Sequence, residues 1–157
     1  MAAARTAGDV MQTAVLSVAP EMPLTKVAQL FVEEGIHGAP VVDETERLLG
    51  VVSTVDLLRA VEEEHDNPSS TATYFRELLE FSGPDWAAMP EDFQDRLGRL
   101  TVADVMQSSV VTVPEDARIA DVAKAMRANQ IHRVIVVRGE QMVGIVSALD
   151  LVGLLER

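Results

Sequence analysis

Two short stretches of this 157-residue chain share one pattern: Gly50–Leu58 reads GVVSTVDLL and Gly144–Val152 reads GIVSALDLV. In each, an apolar run gives way to Ser-x-x-Asp, placing Ser53 with Asp56 and Ser147 with Asp150. Two kinds of chemistry fit that spacing. A serine at a helix N-cap accepts a hydrogen bond from the backbone three residues on, and an acid there reaches back to the cap. The same arrangement also sets a carboxylate beside the electropositive start of a helix. There it can take both hydroxyls of a ribose while backbone N–H groups face an anion. Spacing alone leaves both open.

Other polar residues near these junctions are candidates of the same kind. Thr54 follows Ser53 and offers a hydroxyl to a phosphate or to solvent, whereas the matching position is Ala148. His37 and His132 recur at equivalent places, but two histidines with no third ligand do not make a metal site. With no cysteine, no glycine-rich phosphate loop and no His/Glu metal helix, the sequence holds no catalytic set, and an enzyme is not expected.

The residues must be positioned by repeated elements. DVMQTAVLSV (Asp9–Val18) aligns with DVMQSSVVTV (Asp104–Val113), and the register persists through Val27/Val122, Ile36/Ile131 and His37/His132 to Ser53/Ser147 and Asp56/Asp150. Each copy reads as β-α-β-β-α. A helix with apolar residues near 3.6-residue spacing (Leu24, Val27, Ala28, Leu30 and Phe31, or Ile119, Val122, Ala123 and Met126) ends at Gly35 or Asn129–Gln130. A hairpin follows, and the last helix begins at Ser-x-x-Asp. The expected fold class is α+β, two such repeats packed sheet to sheet with pseudo-twofold symmetry. The expected organisation is repeat 1 over 1–61, a helical insert over 62–100 and repeat 2 over 101–157. The insert holds Trp86, Tyr74, Phe75, Phe81 and Phe93, and helices are expected over Ser70–Phe81 and around a break near Pro90. It either caps the core or binds a partner.

Bulk composition narrows the partners. Hydrophobic residues make up 48% of the chain and aromatics 4%, enough for an aliphatic core. The net charge of −12, with basic residues scattered singly, disfavours nucleic acid. No apolar run approaches the ~18 residues a membrane span requires. The absence of cysteine and of a signal peptide fits the cytoplasm.

Taken together, the tandem DVM…SV/TV, IHGAPVV/IHRVIVV and GhhS-x-x-D motifs resemble the CBS domain pair, or Bateman module, over Asp9–Val61 and Asp104–Leu155. The long insert departs from that family's short linker. The resemblance implies a stand-alone regulatory module that binds AMP, ADP, ATP or S-adenosylmethionine between its repeats. It also implies a homodimer that acts on a protein partner. Asp56 and Asp150 would hold ribose hydroxyls, with Ser53, Thr54 and Ser147 beside them. Ile36, Ile131, Ala39 and Val134 would form an apolar slot for adenine, although core packing would also produce them. His132–Arg133 is similar to a phosphate-contacting His-Arg pair in the regulatory subunits of AMP-activated protein kinases. Copy one has His37–Gly38 there, so the phosphate grip would lean on Arg133, whose rival role is a solvated partner for surface acids. Those subunits carry a second hydroxyl before the Asp. Here Val55 and Leu149 stand there, which weakens the case for a triphosphate. The alternative is a ligand-free dimerising scaffold whose insert is the working surface.

Overall fold

The computed structural model of the chain describes residues 5–62 and 91–156. The first half comprises α1 (Ala7–Val10), α2 (Leu24–Glu34), β1 (Gly38–Val42), β2 (Leu48–Ser53) and α3 (Thr54–Glu62). The second comprises α4 (Glu91–Arg99), α5 (Val102–Val105), β3 (Thr112–Pro114), α6 (Ile119–Asn129), β4 (Arg133–Arg138), β5 (Gln141–Ser147) and α7 (Ala148–Gly153), followed by a 3-10 turn at Leu154–Glu156. The mixture of helices with two small sheets is the α+β class. Among the described residues, no helix is long and apolar enough to cross a membrane. The helix expected over Ser70–Phe81, the aromatic side chains of the insert and His65 lie outside the described residues, whereas α4 begins immediately after Pro90.

The expected β-α-β-β-α pattern holds in the second copy, whereas the first copy lacks its opening strand. In the second copy β3 pairs parallel with β4 and β4 pairs antiparallel with β5. The central strand is a continuous β-branched run, RVIVVR, because both its edges are paired and its middle is buried. In the first copy β1 pairs with β2, and the strand corresponding to β3 shrinks to one parallel bridge, Val18 with Val41. Helices α2 and α6 both end in the left-handed conformation, at Gly35 (φ 63°) and Gln130 (φ 54°). The next amide then bonds back to Phe31 or Met126, closing the last turn.

The chain forms two compact units whose boundaries do not follow the linear repeats. One contains residues up to Ser17, Val42–Leu49 and everything from Ser109; the other contains Val18–Val41 and Gly50–Ser108. Each unit joins the body of one copy to the DVMQ arm of the other. In the first, α1 docks on copy two: the N–H groups of Ala7 and Gly8 donate to the carbonyls of Ala117 and Glu115 at 2.8 Å. Ala7 is fully buried in a core with Val113, Val122, Met126, Val134, Val136 and Val146. In the second, the N–H groups of Val102 and Ala103 donate to the carbonyls of Met22 and Pro20, and Val102, Leu24, Val27 and Phe31 are each buried.

This exchange supplies the caps that α2 and α6 lack. Neither Pro23 nor Arg118 makes a side-chain cap. Instead the first amide of each helix donates to a carbonyl of the arm, Leu24 to Leu100 and Ile119 to Arg5. The arms are capped in their own right, since Thr6 with Asp9 and Thr101 with Asp104 form two further capping boxes.

Candidate ligand-binding site

The corner where β5 turns into α7 is built from Ser147 and Asp150. The Ser147 hydroxyl accepts the Asp150 N–H at 3.1 Å, and the Asp150 carboxylate accepts the Ser147 N–H at 2.8 Å through Oδ2. The helix-cap reading is therefore realised. The other oxygen, Oδ1, accepts from the side-chain amide of Gln12 at 3.1 Å. Opposite Ser147 on the neighbouring strand stands Arg133, exposed to solvent. Partial burial pushes the Asp150 carboxyl up, but the bonds from Ser147 and Gln12 and the charge of Arg133 outweigh it, and its pKa lies below the usual aspartate value. Asp150 is thus ionised at neutral pH, with a forked cation beside it.

The equivalent corner at β2 and α3 has the same frame and a different accessibility. Asp56 Oδ2 accepts from the Ser53 N–H at 2.8 Å and the Ser53 hydroxyl at 3.0 Å. Its Oδ1 accepts from Gln107 at 3.1 Å and faces Arg59 at 3.8 Å. Asp56 is only 5% exposed. No arginine stands where Arg133 does, because the first residue of β1 is Gly38.

The arm approaches each corner across a glycine. A Cβ on Gly50 would lie 2.5 Å from the carbonyl oxygen of Gln107. One on Gly144 would lie 2.6 Å from Met11 Sδ and 2.8 Å from the carbonyl oxygen of Gln12. Two-bond antiparallel bridges run beside them, between Gln107 and Val51 and between Gln12 and Ile145. The glycine of GhhS is there because a backbone passes over it.

Of the residues expected at a site, Ser147, Asp150 and Arg133 come together, as do Ser53 and Asp56. Thr54 is neither solvated nor turned to a ligand: it is buried, and its hydroxyl donates to the carbonyl of His37 at 3.3 Å. The rings of His37 and His132 are exposed, while their carbonyls accept the first amides of α3 and α7, at 2.9 and 2.8 Å. Ala39 and Val134 are core residues, and Ile36 is half-buried after the end of α2. Ile131 and His132 line a cavity of about 590 Å³ with Met126, Ala148, Leu151 and Val152, to which neither Asp150 nor Arg133 contributes. Among the described residues, no group of three His, Asp or Glu stands close enough to hold a metal. Gln12 and Gln107 were not singled out by sequence, although their recurrence at one place in both copies was a usable signal.

A duplicated small α+β repeat with a capped Ser-x-x-Asp corner in each copy defines a class of paired small domains. The CBS domain family matches residues 7–63 and 102–157, and the chain belongs to that family. An uncharacterized protein of Methanocaldococcus jannaschii is 29% identical over 147 residues, covering 92% of this chain and 87% of its own length. The CBS domain of a CBS domain containing membrane protein from Sphaerobacter thermophilus is 30% identical with a TM-score of 0.68, covering 95% of this chain and 86% of that one. CBSX2, a protein of Arabidopsis thaliana, is 25% identical in its complex with AMP, with a TM-score of 0.67 and coverage of 96% and 95%.

Proposed function

We propose that this chain is a regulatory, non-catalytic module that binds an adenosine ligand (AMP, ADP, ATP or S-adenosylmethionine) at the Ser147–Asp150 corner and thereby biases a partner protein. The observation that carries this reading is the placement of Arg133 opposite Ser147, on the same corner as the part-accessible carboxylate of Asp150. The carboxylate is an acceptor for ribose hydroxyls and the guanidinium a forked donor for phosphate. The local cation offsets the repulsion that a −12 chain imposes on an anionic ligand. The likeness to CBSX2, crystallised with AMP, supports the ligand class. Copy one lacks the cation and buries its carboxylate, so one ligand per chain is proposed. Affinity between micromolar and millimolar, about 4 to 8 kcal/mol, is enough for a metabolite sensor.

The module is also proposed to act as a homodimer. Leu149 and Leu155 are 80% and 84% exposed, and Val152, between them in sequence, is also exposed and lines the apolar cavity beside α6 and α7. A second copy is the simplest cover for that face.

One observation favours the rival reading of a ligand-free scaffold: both corner carboxylates already hold internal hydrogen bonds. A thermal-shift panel of AMP, ADP, ATP and S-adenosylmethionine on the wild type, Asp150→Asn and Arg133→Ala separates the two. Stabilisation of the wild type by at least one compound, lost in Asp150→Asn and reduced for phosphorylated compounds in Arg133→Ala, is the expected result. No shift with any of the four leaves the scaffold.

A further inference from the structure

The geometry points to Gln12 as a built-in competitor for the ligand: its side chain occupies the oxygen of Asp150 that a ribose would take, so binding displaces it and loosens the arm. This rests on the adenosine-binding reading of the corner. The two carboxylate oxygens of Asp150 are not equivalent. Oδ2 is committed to the helix cap by the Ser147 N–H at 2.8 Å, and giving that up would uncap α7. Oδ1 accepts from the side-chain amide of Gln12, at 3.1 Å, and Gln12 is exposed. A vicinal diol presents two O–H donors. It gains its place on Asp150 most cheaply by replacing one neutral amide at the accessible oxygen.

What Gln12 is attached to turns the exchange into a signal. Its backbone bridges Ile145 through two hydrogen bonds, at 2.8 and 3.0 Å, and presses on Gly144. Five residues earlier, Ala7 anchors the same arm in the core of the unit. An arm that has lost its side-chain anchor exchanges its backbone hydrogens faster, and the change extends toward α1. Copy one carries the matching contact, Gln107 on Asp56, but there the carboxylate is buried and also faces Arg59. That corner stays latched.

The test is calorimetric titration of AMP into the full chain, wild type and Gln12→Ala, with hydrogen exchange of residues 5–17 followed with and without AMP. Gln12→Ala removes an exposed side chain that the core does not use, so the fold is retained. About a threefold to tenfold tighter binding in Gln12→Ala is expected, the size of one modest hydrogen bond no longer competing. Faster exchange at Gln12 and Met11 of the wild type on saturation is expected beside it. Binding seen only in Gln12→Ala also supports the competitor role. AMP binding by the wild type that is unchanged or weaker in Gln12→Ala overturns it while leaving the ligand reading intact, as does an arm whose exchange is unmoved by saturating AMP. No binding by either protein overturns both.

Discussion

The amide of Gln12 and the carboxylate of Asp150 meet at 3.1 Å although 138 residues separate them in the chain, and Gln107 meets Asp56 at the same distance across 51. The duplication has thus preserved a contact that each copy makes with the arm of the other. The arm fixes the helix starts, the glycines of the strands and the free oxygen of each corner carboxylate.

The glycines under the arms should tolerate no side chain. Gly50→Ala pushes a methyl against a backbone carbonyl, and Gly144→Ala meets Gln12's carbonyl as well as the movable Met11. A loss of about 2 kcal/mol or more is expected for Gly50→Ala, with a smaller loss at Gly144. Gly153→Ala meets nothing within 4 Å and should be neutral or gain up to about 1 kcal/mol. Urea unfolding of the three variants measures the order. A Gly50→Ala protein as stable as Gly153→Ala would show that the arm does not lie against β2.

Acid should weaken the unit that contains α1 and copy two. The carboxyls of Asp9, Asp43, Glu115 and Asp150 all belong to it, and each has a pKa below its ordinary value. Asp9 is lowered by the Arg5 and Thr6 backbone bonds, Asp43 by the Thr45 hydroxyl, and Glu115 by Arg138 at 2.7 Å. A carboxyl whose folded pKa is depressed adds stability above its unfolded value, near 3.8 for Asp and 4.5 for Glu, and loses it as pH falls through the folded value. Urea midpoints should therefore hold level down to about pH 5 and fall below about pH 4. In Asp150→Asn the acid slope should be shallower. An equal slope in the variant would remove Asp150 from the set.

The exposed apolar side chains of α7 and the turn after it should mark a self-association surface. Leu149→Asp with Leu155→Asp is expected to convert a sedimenting dimer to a monomer without loss of helix content, because both side chains are already exposed. A wild type that sediments as a monomer at tens of micromolar contradicts the dimer proposal.

Much of the fold was legible because apolar periodicity and duplication reinforced each other. The helices at Leu24 and Ile119, their ends at Gly35 and Gln130, and the helix caps at Ser53 and Ser147 were all readable from residue types at fixed spacing. The starts of α2 and α6 carried no cap signal, since Leu100 and Arg5 supply the caps from distant sequence. The exchange of arms was invisible for the same reason: DVMQ records that the arm is repeated, not which copy it lies on. Thr54 misled because a hydroxyl beside a helix start looks solvated until the strand carbonyl that it bonds, that of His37, is in place. At the second corner, residue types revealed the Ser147–Asp150 helix cap, while the hydrogen bond on the other carboxylate oxygen depended on a contact across the whole chain.

The most direct measurement is the stoichiometry of AMP binding by isothermal titration calorimetry on the wild type, Asp150→Asn and Asp56→Asn. One AMP per chain, abolished by Asp150→Asn and retained by Asp56→Asn, is the expected result. Binding that survives in Asp150→Asn, or that is lost in Asp56→Asn alone, contradicts a ligand site at the Asp150–Arg133 corner.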